Sequence, residues 1–174
     1  MMIARSKKFT ETGFPVDVLW SDLYYSQDME YFVFNNATWP LYQVAELERE
    51  IESEQRRLVT INDPHIKVSE DYFVYREGME LMNETDSSNV TNTFIRYPNA
   101  TTVYTANCWP GNSSWVDYLN ENAASWWGSL YEYGKFLGTN YLFGTWNDMN
   151  EPSVFLPDDP NGMPMNNTHI MTNG

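Results

Sequence analysis

The stretch Tyr141-Leu142-Phe143-Gly144-Thr145-Trp146-Asn147-Asp148-Met149-Asn150-Glu151-Pro152 decides the fold. A short apolar run leads into a Trp and a carboxylate, and a Pro closes the segment. That is the pattern of a buried parallel strand ending at a reactive site. The strand delivers Asp148 at its carboxyl end, and Pro152 stops regular pairing beyond it. Two earlier segments repeat the pattern: Val16-Asp17-Val18-Leu19-Trp20-Ser21-Asp22 and Leu58-Val59-Thr60-Ile61-Asn62-Asp63-Pro64. Strand side chains alternate between faces, so Val18 and Trp20 share a face with Asp22. By the same parity Val59 and Ile61 go with Asp63, and Leu142, Gly144 and Trp146 go with Asp148. If these faces line one barrel, the three Asp side chains converge at its mouth.

Helical signals lie between the strands. Residues 41–57 carry Val44, Leu47 and Ile51 at helical spacing, with Leu58 following in period and Glu48, Arg49, Glu52 and Arg56 on the other side. The Glu/Arg run from Glu46 to Arg57 reads as a solvated helix face. A second helix starts at Asn120, a good N-cap with Glu121 in the first turn. Ala123, Trp127, Leu130 and Tyr131 form its apolar stripe, and Gly138 is a stop signal. Strand–helix–strand order implies a parallel α/β sheet. The segment from His65 to Trp109 is too long for a simple loop. It is read as an insertion with a helical turn and short antiparallel strands, holding Tyr72 to Tyr75 and Thr93 to Tyr97 on either side of a polar stretch. After Phe155 the chain turns Pro-, Asn- and Met-rich.

Composition narrows the function classes. The 174 residues are 42% hydrophobic and 16% aromatic, which is globular rather than disordered. A formal charge of −14 argues against nucleic acid, whose phosphates require Lys and Arg, and suits a protein acting on a neutral substrate with carboxylates. The single Cys, Cys108, allows no intrachain disulfide. No apolar segment has the length of a signal-peptide core or a membrane span. Yet Asn-X-Ser/Thr sequons occur at Asn36, Asn83, Asn89, Asn99, Asn112 and Asn166, favouring passage through a secretory compartment. Both facts fit a chain that lacks its true N-terminus.

Four motifs in order then carry a resemblance. They are Phe14-Pro15-Val16-Asp17-Val18-Leu19-Trp20-Ser21-Asp22 with Tyr31-Phe32, Ile61-Asn62-Asp63-Pro64-His65-Ile66-Lys67, Cys108-Trp109-Pro110-Gly111 with Trp126-Trp127, and Trp146-Asn147-Asp148-Met149-Asn150-Glu151-Pro152-Ser153-Val154-Phe155. Together they resemble glycoside hydrolase family 31, the retaining α-glucosidases, and lean towards its neutral α-glucosidases of the glucosidase II type. The resemblance implies part of a (β/α)8 barrel, about strands 2–4, with residues 1–174 in a single catalytic domain and 65–109 inserted after the third strand.

The resemblance also implies roles. Asp148 matches the catalytic nucleophile. Asp22 matches an Asp that binds hydroxyls of a terminal glucose, and Ile61, Trp109, Trp146 and Met149 match residues lining the sugar subsite. Asp63 and Glu151 are expected to support the loop. The family's acid/base Asp belongs to a later strand, so the isolated polypeptide is expected to be inactive. No cofactor is expected, and no metal: His65 and His169 with Asp63 or Glu151 lack metal-ligand spacing. The expected substrate is an α-glucoside or a glucosylated N-glycan. A glucosidase II-like enzyme would bring a non-catalytic β subunit and an endoplasmic reticulum or other secretory location. The competing reading is an inactive carbohydrate-binding relic or a truncated gene product.

Overall fold

A computed structural model describes residues 2–83, 92–97 and 102–155. The elements in chain order are α1 (Met2–Thr12), β1 (Val18–Ser21), β2 (Ser26–Gln27), β3 (Glu30–Phe34), α2 (Leu41–Ser53), β4 (Arg57–Ile61), β5 (His65–Lys67), α3 (Phe73–Asn83), β6 (Ala106–Cys108), β7 (Gly111–Trp115), α4 (Glu121–Ser129) and β8 (Phe143–Trp146). They fall into two compact units, one from Met1–Asn62 and Glu132–Asp148, the other from Asp63–Tyr131 and the chain from Met149. No helix among the described residues is long and apolar enough to cross a membrane.

The first unit holds the expected parallel sheet, in the order β1-β4-β8. Its register pairs Trp20 with Val59 and Val59 with Gly144, and sets Ile61 beside Trp146. Partners in register share a face, so the face read from alternation is continuous across all three strands. The other face carries Leu19 and Leu58, which pack against Leu47 and Ile51 of α2 and against Ile3 and Phe9 of α1. The spacing of three, four and seven residues in α2 puts Val44, Leu47 and Ile51 on one buried stripe. Within this unit α1 and α2 cover that face. On the opposite face Val18 is 47% exposed and Trp20 59% exposed. The sheet is an open, partial barrel, since three strands cannot close one.

An aromatic hairpin sits beyond β1. Gln27 pairs with Glu30, leaving Asp28 and Met29 as a two-residue turn with φ of 49° and 61°. Two positive φ values match the turn type whose twist suits a tight hairpin. Tyr25, Phe34 and Phe136 pack ring to ring above it, and the buried Tyr25 hydroxyl donates to the Ile61 carbonyl at 2.9 Å. That bond ties the hairpin to the end of β4.

Several expectations need correction. The strands are shorter than read, because the residues flanking them leave the ladder for turns and caps. Leu142 does not lie with Gly144 and Trp146. It precedes β8, donates its N–H to the Asn140 side chain, and buries its side chain with Leu19 and Leu58 in the helix-side core. The first helix ends at Ser53, where Gln55 takes a left-handed φ of 55°. The second ends at Ser129 rather than near Gly138: Leu130 and Tyr131 bond back three residues, the tightening that closes a helix. Gly138 instead serves a turn at φ 87°.

Arg56 is the largest departure from the solvated face, at 5% exposure. Its guanidinium donates to the Ser6 carbonyl at 2.8 Å, the Ser6 hydroxyl at 2.7 Å, the Thr10 hydroxyl at 3.0 Å and the Val16 carbonyl at 3.1 Å. Glu54 lies 3.9 Å away. Arg56 therefore fastens α1 to the chain entering β1. Removing it strands buried acceptors, so Arg56→Ala is expected to lower stability by about 2–4 kcal/mol. Denaturant unfolding checks this, and an unchanged midpoint contradicts it.

The second unit is built on the antiparallel sheet β5-β7-β6. The β6–β7 hairpin turns at Trp109-Pro110, where Cys108 pairs with Gly111 and Gly111 takes φ 92°. Two isolated bridges, Phe94 to Val116 and Arg96 to Val103, extend the antiparallel pairing. Asn120 caps α4, its side-chain oxygen accepting from the N–H groups of Asn122 and Ala123. The segment read as a helical turn is the 11-residue α3, whose Gly78 leaves room for the Phe94 ring: a Cβ there would sit 2.6 Å from it.

Candidate active site

In the first unit the site residues gather where β1, β4 and β8 end. Trp146 is the last residue of β8, and Asp148 follows two residues later, half-buried. Ile61 ends β4 beside Trp146 at 3% exposure, and the next residue, Asn62, donates its N–H to the Trp146 carbonyl at 2.9 Å. That bond carries the parallel ladder to the point where Asp148 leaves it. Trp20 meets Trp146 edge-on, with centroids 5.5 Å apart and planes at 86°. Asp22, one residue past β1, accepts the Leu23 N–H through Oδ1 at 2.7 Å and caps the short turn Leu23–Tyr25. Its carboxylate is thereby held in a fixed place by the backbone.

In the second unit the half-buried Trp109 stacks on the buried His65. Asp63 Oδ2 lies 3.3 Å from His65 Nε2, the two side chains being 2% and 0% exposed. The His65 ring stacks on Trp109 at 5.3 Å and 21°. Phe155 closes on Trp109 from a further direction at 4.5 Å. The tract after Asp148 is anchored to this hairpin: Phe155 donates its N–H to the Asn107 carbonyl at 2.9 Å, and the Cys108 thiol reaches the Ser153 carbonyl at 3.5 Å. Burial pushes the Cys108 thiol up to about 11, so it stays a protonated, unreactive group at neutral pH. Met149 takes a left-handed φ of 58°, and its carbonyl accepts from Ser153 N at 3.1 Å.

The structure therefore brings Ile61, Trp146 and Asp148 together at one end of the parallel sheet, with Asp22 at the end of β1. It sets Asp63 beneath Trp109 through His65. Glu151 is exposed. Sequence reasoning set Trp20 on the face of Asp22 without giving it a role in the site, and weighed His65 only as a metal ligand. Trp20 was legible, because alternation puts it on the face of Asp22. His65 was legible only as a member of a motif, because stacking on Trp109 needs the antiparallel sheet to form. Among the described residues, no three His, Cys, Asp or Glu side chains group to hold a metal, and His169 lies outside them.

The His65 ring braces Trp109, and the effect is measurable. His65→Ala should lower stability by about 0.5–1.5 kcal/mol, the worth of one aromatic pair, seen as an earlier denaturant midpoint. His65→Phe, which keeps the ring, should restore most of the loss. Equal midpoints in all three forms would remove the role.

A family model described as the glycosyl hydrolases family 31 TIM-barrel domain matches residues 2–173. The chain is 44% identical over 149 residues to glucosidase 2 subunit alpha of Schizosaccharomyces pombe, covering 85% of the chain and 15% of that protein. Among solved structures it is similar to a glucosidase II alpha subunit bound to alpha3-Glc2, with a TM-score of 0.76 and 32% identity over 88% of the chain and 15% of that one. It is also similar to an endoplasmic reticulum glucosidase II heterodimer of catalytic subunit and regulatory-subunit binding domain, with a TM-score of 0.74, 32% identity and the same two coverages, 88% and 15%. The chain spans about 15% of the length of the curated relatives first matched.

Proposed function

This chain belongs to glycosyl hydrolase family 31, and on that premise we propose that its protein removes terminal α-linked glucose with retention of configuration. The observation that carries the reading is the position of Asp148, two residues past the end of β8, where Trp146 pairs with Ile61. Carboxylates placed at strand ends are where barrel enzymes keep their chemistry.

In the proposed reaction the Asp148 carboxylate attacks the anomeric carbon while the glycosidic C–O bond breaks. A second carboxyl, about 5–5.5 Å from the first and supplied by another part of the enzyme, gives its proton to the leaving oxygen. Water then cleaves the glucosyl ester, passing a proton to that same group, and Asp148 is regenerated. Asp22 holds hydroxyls of the terminal glucose. Sugar binding is assigned to Trp146 and Ile61 and, on the likeness to the family, to Trp109 and Met149, since flat aromatic faces match the C–H faces of a pyranose. Asp63 supports Trp109 through His65, and Glu151 supports its loop.

We further assign residues 1–174 to one catalytic barrel domain, with 65–109 inserted after its third strand. A glucosylated N-glycan as substrate, a non-catalytic β subunit as partner and an endoplasmic reticulum location are supported by the likeness to glucosidase II. Proton NMR of the first glucose released from an aryl α-glucoside tests the mechanism. The α-anomer is expected; the β-anomer would mean inversion and a different use of Asp148.

A further inference from the structure

Two complete sequons lie among the described residues, Asn36-Ala37-Thr38 and Asn112-Ser113-Ser114, and the fold treats them differently. Asn36 is exposed at a surface turn between β3 and α2, as are Ala37 and Thr38. The turn is held without the Asn36 side chain. The Asn35 carboxamide oxygen accepts from Ala37 N at 2.9 Å and from Thr38 N at 3.1 Å, and Gln27 Oε1 accepts from Asn36 N at 3.3 Å. The acceptor Asn36 and Thr38, two residues on, are both exposed.

The second sequon is drawn into a sheet. Asn112 pairs with Asn107 across the β6–β7 hairpin, its carbonyl accepts from Val68 N at 2.9 Å, and Ser114 is 0% exposed. Once β5-β7-β6 has formed, the hydroxyl that a transferase must reach is inside the protein.

We propose that Asn36 is an N-glycan acceptor and that it is occupied in preference to Asn112. The inference rests on the proposed passage of the protein through a secretory compartment. In the transfer, Asn36 Nδ2 forms a bond to the anomeric carbon of an oligosaccharide carried on a polyprenyl diphosphate. The bond from that carbon to the diphosphate oxygen breaks, the diphosphate leaves with the bonding pair, and the amide proton passes to a base of the transferase. The acceptor turn needs no rearrangement for this, and a glycan on it displaces no buried side chain.

The test is peptide mass spectrometry of the longer protein, purified from the cells that make it, after enzymatic glycan release in heavy-oxygen water. Release converts each occupied Asn to a labelled Asp. The expected result is a label at Asn36, with Asn112 labelled less or not at all. Both Asn36→Gln and Thr38→Ala should remove one glycan, seen as a loss of mass on electrophoresis, and leave kcat/KM unchanged. Labels at other sequons with none at Asn36, or fuller labelling of Asn112 than of Asn36, would overturn the proposal while leaving the secretory reading intact. No label at any sequon would overturn both.

Discussion

Asp148→Asn, made in the longer enzyme, is expected to lower kcat/KM on an aryl α-glucoside by about 10⁴-fold while leaving α-glucoside affinity within about threefold. The substitution keeps the size and most of the hydrogen-bonding shape of the side chain. What it removes is the charge and the capacity to form a glucosyl ester. A nucleophile's contribution is realised only as the glycosidic bond breaks, so the loss should fall on kcat and not on binding. Asp148 stands past the last ladder bond of β8, where Asn62 N–H reaches the Trp146 carbonyl. The scaffold beneath it should not change. Retained activity with an unaltered pH profile would move the nucleophile to another carboxylate.

Asp22→Asn is expected to reduce kcat/KM about 10²-fold, and Asp22→Ala about 10³-fold. The two variants separate turn capping from the proposed sugar contact. Asp22 caps a turn through Oδ1, and loss of a cap costs about 1 kcal/mol of stability. The Asn variant keeps an oxygen for that bond, so its Tm should match the parent. It loses the charge that strengthens a hydrogen bond to a sugar hydroxyl, worth about 1.5–3 kcal/mol. The Ala variant loses both and should also unfold a few degrees earlier. If the Asn variant keeps full kcat/KM and only the Ala variant suffers, Asp22 is a turn cap and nothing more.

Much of this arrangement was legible in the sequence because period-two alternation is a strict geometric rule. It placed Trp20, Ile61 and Trp146 on one face, and the register agrees across all three strands. The rule failed at Leu142, which lies one residue outside β8 and is governed by a turn bond instead of by pleating. Arg56 was read as solvated because its neighbours on the helix are charged. Its burial depends on α1, forty-six or more residues earlier, presenting Ser6 and Thr10 to it. Such partners leave no local pattern. The same holds for His65, whose stack with Trp109 joins residues brought together by β5 and the β6–β7 hairpin. The four motifs carried the family reading, since four in the same order are far more specific than any one of them.

The central claim is that Asp148 forms the covalent bond to glucose. A fluorinated α-glucosyl fluoride, which forms the glucosyl ester quickly and releases it slowly, tests it directly. After incubation with the longer enzyme and proteolysis, mass spectrometry should find the fluoroglucosyl adduct on the peptide containing Trp146 to Asn150, with fragmentation assigning it to Asp148. An adduct on any other carboxylate, or inactivation with no adduct at all, would contradict the account.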